Sequence, residues 1–203
     1  KTLNLTFFMN ILAFTDPHFY GAINSRLIAK AKKADIVVCA GDFTNFGKNF
    51  NKLIKDFNKF KKPTLIIPGN HEEGEDFSIL KNNKKVKFLH KKSIVVGDYL
   101  FFGYGYGGFS ERYKDLEKII PSLKKRSKGK KVIFVTHAPI YGTKTDYIEW
   151  AGHVGSKSAL KLIKEVKPML VICGHIEENF NQIDSVGKTV IINPGDKGKI
   201  LKV

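Results

Sequence analysis

The chain has 203 residues, 42% of them hydrophobic and 12% aromatic, enough for one domain with a real core. No run of 18 apolar residues occurs, which argues against a membrane-spanning helix. The net charge of +16 comes from 35 basic and 19 acidic residues and attracts anions, either phosphorylated metabolites or nucleic acid. Only Arg26, Arg112 and Arg126 are arginines and the lysines are scattered, so a solvated lysine-rich surface is the preferred reading of that charge.

Residues 1–14 imitate a signal peptide, with one positive charge before an apolar run. They lack a small-residue cleavage site and run straight into Asp16-Pro17-His18, so they read as a first strand. Met9 offers an internal start, with residues 1–8 an extension. Short apolar, β-branched runs at 11–15, 35–40, 64–68, 131–136 and 169–173 predict buried strands. Amphipathic stretches at 24–33, 49–60, 113–126 and 156–167 predict helices between them, and the alternation predicts α/β layers. Residues 86–102 and 180–203 are strand-rich with short turns and predict antiparallel additions that build a second sheet. The lysine-rich run 124–131 reads as a helix end and turn, where positive charge suits the helix dipole. Cys39 and Cys173 lie in apolar runs and are expected to be buried and reduced, which points to the cytoplasm. One domain over residues 1–203 is expected.

Each unusual polar cluster stands at the C-terminal end of an apolar run. These clusters are Asp16, Gly41-Asp42, Gly69-Asn70-His71-Glu72, His137 and Gly174-His175. In α/β proteins ligands bind at the carboxyl edge of the sheet. Asp16 and His18 are two apart, as are His175 and Glu177, so in an extended segment each pair points to one side. The donors are carboxylate, amide and imidazole without thiolate, a set that suits a divalent ion such as manganese, iron or zinc better than a structural zinc site. A lone histidine in such a place would ordinarily be a packing residue; five such clusters at five strand ends are not expected by chance.

Taken together, Asp16-x-His18, Gly41-Asp42, Gly69-Asn70-His71-Glu72, His137 and Gly174-His175 resemble the ordered motifs of calcineurin-like metallophosphoesterases. The resemblance extends through Gly155-Ser156 and Asn193-Pro194-Gly195, nearly the whole chain. It implies a four-layer α/β/β/α sandwich with two central mixed sheets. It also implies two divalent ions, with iron, zinc or nickel compatible; a third carboxylate, Glu177, at the first of them favours manganese. The first ion would use Asp16, His18 and Asp42; the second Asp42, Asn70, His137 and His175, with Asp42 bridging. His71 and Asn70 would face the substrate phosphate, and Glu72 would orient His71. The implied reaction is hydrolysis of a phosphate ester by in-line attack of a hydroxide bridging the ions; nothing in the 203 residues looks like a large lid, so an open cleft and a diester are expected. The family usually ends its last motif Gly-His-x-His. Here Glu177 takes the second histidine's place, and its carboxylate is expected on the first ion.

Other features carry weaker signals. Gly103-Tyr104-Gly105-Tyr106-Gly107-Gly108 matches a dinucleotide-binding pattern but lacks the acidic residue about 20 positions on, so it reads as a loop. Its Tyr104 and Tyr106, with Phe109, are candidates to line a substrate cleft. His153, in the long segment after His137, is a candidate substrate contact, and His90 is unassigned. Two competing functions remain in view. One is a protein-interaction module that kept the fold and lost catalysis. The other is a nucleic-acid phosphodiesterase, which the charge would suit. The oligomeric state is left open.

Overall fold

The computed structural model describes residues 8–203, so most of the suggested extension at 1–8 lies outside the described residues. The elements in chain order are β1 (Asn10–Phe14), α1 (Ser25–Ala31), β2 (Ile36–Cys39), α2 (Phe50–Asp56) and β3 (Thr64–Ile66). β4 (Val86–Phe88), β5 (Ser93–Val96), β6 (Tyr99–Tyr104), α3 (Lys114–Arg126) and β7 (Lys131–Thr136) follow. The chain closes with β8 (Tyr147–Ile148), β9 (Gly152–His153), α4 (Lys157–Val166), β10 (Leu170–Ile172), β11 (Ile183–Val186), β12 (Thr189–Ile192) and β13 (Lys199–Lys202). Local chemistry sets the helix starts: Asn24 accepts the Arg26 N–H before α1, and Ser156 accepts the Ala159 N–H before α4.

One sheet has the order β13-β1-β2-β3-β4, the other β11-β12-β10-β7-β6-β5. Within the first, β1 to β4 are parallel and β13 runs antiparallel along β1. In the second, β12, β10, β7 and β6 are parallel, and β11 and β5 are antiparallel edges. The antiparallel additions expected of residues 86–102 and 180–203 are β5, β11 and β13, and the remaining strands of these segments depart from the expectation. β4 extends the first sheet in parallel, β6 and β12 join the second in parallel, and β13 crosses back to the first. Short apolar runs separated by tight turns look the same whether their partners are adjacent in sequence or distant, so pairing direction was not readable there.

The alternation of side chains along each strand sorts them into three apolar layers. Leu12, Phe14, Val37 and Cys39 face α1 and α2, with Leu27 and Leu53 packed on them. Ile11, Ala13, Ile36 and Val38 face the other way and meet Phe101, Ile133, Val135 and Ile172 of the second sheet. Phe102, Phe134 and Val171 then face α3 and α4 through Leu116, Ile120 and Leu162. Because both faces of both sheets are covered, the central strands are continuous apolar runs. The result is the four-layer α/β/β/α sandwich. Cys39 and Cys173 are buried and free. Among the described residues no helix is long and apolar enough to cross a membrane.

Candidate metal centre

The loops that leave β1, β2 and β3 carry Asp16, Asp42 and Asn70, and those that leave β7 and β10 carry His137 and His175. Parallel pairing puts the carboxyl ends of each group side by side. The two groups then meet across the sandwich with no space to spare. A Cβ on Gly41, whose φ is +102°, would lie 2.6 Å from His137 Nδ1 and from the Gly69 nitrogen. A Cβ on Gly174 would lie 2.6 Å from Asp16 Oδ2 and closer still to Thr15 Oγ1. Only glycine permits that approach.

The loops do not run extended, as the two-residue spacings suggested. Asp16, His18, Asp42 and His175 all adopt left-handed backbone, with φ of 50°, 38°, 50° and 75°. Such conformations are uncommon for non-glycine residues and persist where the surroundings over-determine them. Here the backbone is pinned from the opposite sheet and from neighbouring loops. The Asp16 N–H donates to the Gly41 carbonyl, the His18 N–H to that of Asp42, and the His175 N–H to the Asp16 carboxylate at 3.0 Å.

Hydrogen bonds at the far ring nitrogen divide the histidines into two kinds. His18 Nδ1 lies 2.9 Å from the Thr44 carbonyl, and His137 Nδ1 lies 2.9 Å from that of Ala40. A carbonyl only accepts, so both Nδ1 atoms carry the proton, and in the neutral rings each Nε2 presents a lone pair. His71 is the reverse: its Nδ1 accepts the Phe46 N–H at 3.3 Å, so its Nε2 carries the proton. A metal ligand needs a lone pair oriented by a bond at the other nitrogen, which describes His18 and His137. A ring held with its N–H toward the site is a donor, which describes His71.

The lone pairs converge. His137 Nε2 stands 3.0 Å from Asn70 Oδ1 and 3.3 Å from Asp42 Oδ2. His18 Nε2 stands 3.3 Å from Glu177 Oε1, and His175 Nε2 is buried with no hydrogen-bond partner. Acceptors facing acceptors call for a positive charge between them, either an ion or a proton on the ring. Two sets of three side chains that could offer ligand atoms lie within 4.8 Å of one another, Asp42 with His18 and His71, and Asp42 with His137 and His175; with its Nε2 protonated, His71 stands in the first set as a donor and leaves Asp42 and His18 as the ligand atoms there. Asp42 belongs to both. The donor set, the buried orphan nitrogen and the shared carboxylate therefore fit a pair of divalent ions.

The electrostatics agree. Burial would raise the Asp42 carboxyl, but the His137 imidazolium beside it outweighs that and holds it at about 2. Burial would lower His137, and Asp42 in turn keeps it up at about 9. Burial pushes Asp16 up to about 6 and His175 down to about 4. Without an ion, a proton on His137 thus supplies the positive charge that the oxygens demand.

Three expected placements change. Glu72 does not touch the His71 ring. It is buried, accepting from the Asp42 and Gly69 N–H groups at 2.9 Å on one oxygen and from the Thr44 N–H and hydroxyl at 2.7 and 2.6 Å on the other. It fastens the β2 and β3 loops together because four donors from those loops converge on one carboxylate. His153 is not drawn to the cluster. Its Nδ1 bonds Asp146 Oδ1 at 2.7 Å, and Asp146 also accepts the Gly142, Thr143 and Gly155 N–H groups. That buried carboxylate holds His153 in the β8–β9 hairpin, which the sequence did not predict. Tyr104 is buried, with its hydroxyl donating to Asp115, whereas Phe109 is exposed with its ring 4.7 Å from that of His175, centroid to centroid.

Two further expected ligands, Glu177 and Asp16, stand outside both sets. Glu177 begins a 3-10 turn, yet its carboxylate still reaches His18, and Ile176 is buried. Asp16 belongs to neither set of three. It lies just behind them, taking a hydrogen bond from Thr15 Oγ1 at 2.6 Å as well as the His175 N–H. Thr15, Thr44 and the Ala40 carbonyl, which orient these side chains, were not anticipated. A hydroxyl or carbonyl beside a motif carries no pattern of its own.

Two measurements test this arrangement. All four groups facing Glu72 are donors, so an amide there would turn N–H against N–H. Glu72→Gln is expected to destabilise the fold by about 1–3 kcal/mol, the cost of a buried unsatisfied group, and to weaken metal binding with it; chemical denaturation at wild-type stability would contradict the role. The second test is pH. Asp16 and His137 have folded values above their ordinary 3.8 and 6.5. Their protons' contribution to stability is therefore complete at low pH and is lost as pH rises through about 6 and then about 9. An ion replaces those protons, so saturating Mn²⁺ should raise the melting temperature more at pH 8 than at pH 6. An equal or smaller rise at pH 8 would contradict it.

A calcineurin-like phosphoesterase family model matches residues 9–178. An uncharacterized protein of Methanocaldococcus jannaschii is 28% identical, over 94% of this chain and 89% of its own. A Caenorhabditis elegans protein is also 28% identical, over 81% of this chain and 63% of its own. Among solved structures, one from Thermus thermophilus matches with a TM-score of 0.75 at 18% identity, over 94% of this chain and 91% of that one. A dimetal phosphatase from Danio rerio matches with a TM-score of 0.63 at 10% identity, over 91% and 86%. The chain belongs to the calcineurin-like phosphoesterase family.

Proposed function

We propose that the chain is a two-metal phosphoesterase with a preference for diesters. The observation that carries this reading is that Asp42 is shared by two sets of ligand atoms, with His18 and His137 each oriented by a carbonyl at the far ring nitrogen. In this reading Asp16, His18, Asp42 and Glu177 hold one ion, and Asp42, Asn70, His137 and His175 hold the other. Three carboxylates at the first ion favour a hard cation such as Mn²⁺. The ions supply Lewis-acid activation of the ester and of water at neutral pH.

The chain's own residues do the rest. His71, with Nε2–H turned inward, donates to a phosphoryl oxygen or to the departing alkoxide. Burial lowers its pKa. Deprotonated on Nδ1 but still bearing its Nε2 proton, the neutral ring is a donor without being a competing cation. Glu72 keeps the Asp42 and Asn70 loops in register through backbone N–H groups. On the Asp16 side an open groove of about 450 Å³, lined by His18, Tyr20, Asn24, Glu177 and Asp196, gives a second ester arm a path away from phosphorus. The diester preference rests on that path. A protein that had kept only the fold would not need the donors and acceptors of all six motif residues arranged in this way.

The test is turnover of bis-p-nitrophenyl phosphate and p-nitrophenyl phosphate by the Mn²⁺-loaded protein, with a chelator control. The diester is expected to turn over faster. His71→Ala should keep its metal and lose about 10²–10⁴ in kcat, the range for a lost general acid or base. Cleavage of the monoester alone would contradict the diester preference. Loss of metal from His71→Ala would make that ring a ligand.

A further inference from the structure

Two phenylalanine rings stand at the mouth of the site, and nothing in the chemistry above uses them. Phe46 is 78% exposed and Phe109 is 62% exposed. Each lies against a different site histidine. The Phe46 ring stacks on His71 at 3.9 Å between centroids and 24° between planes, and the Phe109 ring meets His175 edge-on at 4.7 Å. His71 and His175 belong to the two different sets that share Asp42, so the rings sit one side chain outside each of them. Single exposed apolar residues need no explanation, but two rings, one against a histidine of each set, do.

Both rings are held in place. Phe46 has left-handed backbone, φ 49°, which is uncommon for an aromatic residue and costs energy that the surroundings must offset. Its own N–H bonds His71, and the next residue, Gly47, donates to Thr44 Oγ1 at 3.1 Å. The loop before Phe109 is fixed by the Gly105 N–H on His90 Nδ1, the Tyr106 N–H on the Pro68 carbonyl and the Tyr113 hydroxyl on the Gly108 carbonyl. Gly108 itself runs beside His175: a Cβ there would lie 3.7 Å from the ring. A strained, exposed ring on one side and a tethered, exposed ring on the other are preorganised contact surfaces.

We propose that Phe46 and Phe109 form an aromatic subsite that selects phosphate esters whose ester arm carries a flat aromatic group, a nucleobase or an aryl ring. The proposal rests on the phosphoesterase reading for what happens to the ester, but not for the binding itself. Stacking on an exposed aromatic side chain is tolerant of which ring is bound, so a preference for rings over aliphatic chains is the signature, with no choice among bases. The chain's net charge of +16 favours the anionic end of such a ligand in general terms, and the phenyl rings supply what that charge cannot, discrimination by the leaving group.

The test is equilibrium binding by calorimetry of adenosine 5′-phosphate, phenyl phosphate and glycerol phosphate to the Mn²⁺-loaded protein, which needs no turnover. Both aromatic ligands are expected to bind about tenfold more tightly than glycerol phosphate. Phe46→Leu and Phe109→Leu should each shrink that ratio severalfold, and Phe109→Tyr should restore it. If adenosine 5′-phosphate alone is preferred, the subsite reads a nucleobase; if phenyl phosphate binds equally well, it reads any ring. Equal binding of all three ligands, or a ratio untouched by either leucine variant, would overturn the proposal even if esters are hydrolysed. A ratio that behaves as expected in a protein without turnover would overturn the phosphoesterase reading and leave the subsite standing.

Discussion

Everything at this site depends on how closely the two sheets approach at their carboxyl edges. Gly41 and Gly174 sit where a single extra carbon would strike His137, Gly69 or Asp16. That contact brings the Ala40 carbonyl of one sheet within hydrogen-bonding reach of His137 from the other. It also brings the His175 N–H onto the Asp16 carboxylate. The inner apolar layer of Ile11, Ala13, Val38, Ile133, Val135 and Ile172 sets the spacing. Closely packed interiors do not yield gradually, so this spacing is transmitted to the ligand atoms without slack.

Within that frame the polar groups work as orienting devices more than as sources of stability. Thr44 gives its carbonyl to His18 and its N–H and hydroxyl to Glu72. Glu72 ties the start of the Asp42 loop to Gly69, just before Asn70. The effect is a set of lone pairs aimed at two points, with His71 alone turned to offer a proton. A protonated His137 satisfies one of those points, at about pH 9 and below. Divalent ions would satisfy both, and at physiological pH they would do so without holding a buried imidazolium.

Much of this was legible in the chain before any coordinates. Strand ends rich in aspartate, asparagine and histidine after apolar runs identified the edge and its chemistry. The helix bounds followed from amphipathic spacing. The layers could be expected from unbroken apolar strands. What was not legible is as informative. The expectation that Asp16 and His18, or His175 and Glu177, share a side by extended alternation was wrong about the backbone, which is left-handed at Asp16, His18 and His175. Glu177 nonetheless reaches His18, because a 3-10 turn brings it around. The true partners of Glu72 are N–H groups of its own loop and of the loop after the adjacent strand β2, with the Thr44 hydroxyl, and such groups leave no trace in the residue pattern. His153 looked available because it lies in the long segment after His137; Asp146, seven residues earlier, holds it in the hairpin. The parallel pairing of β4 and β6 could not be told from an antiparallel meander, since both have the same composition and turn signals.

The account's central claim is that Asp42 joins two ions. Manganese titration followed by electron paramagnetic resonance tests it most directly, because two ions bridged by one carboxylate are spin-coupled and a lone ion is not. The account predicts two Mn²⁺ per chain with a coupled multiline signal, and in Asp42→Asn the loss of that coupling together with most of the bound metal. A single uncoupled six-line signal at saturation, or an unchanged coupled signal in Asp42→Asn, would contradict it.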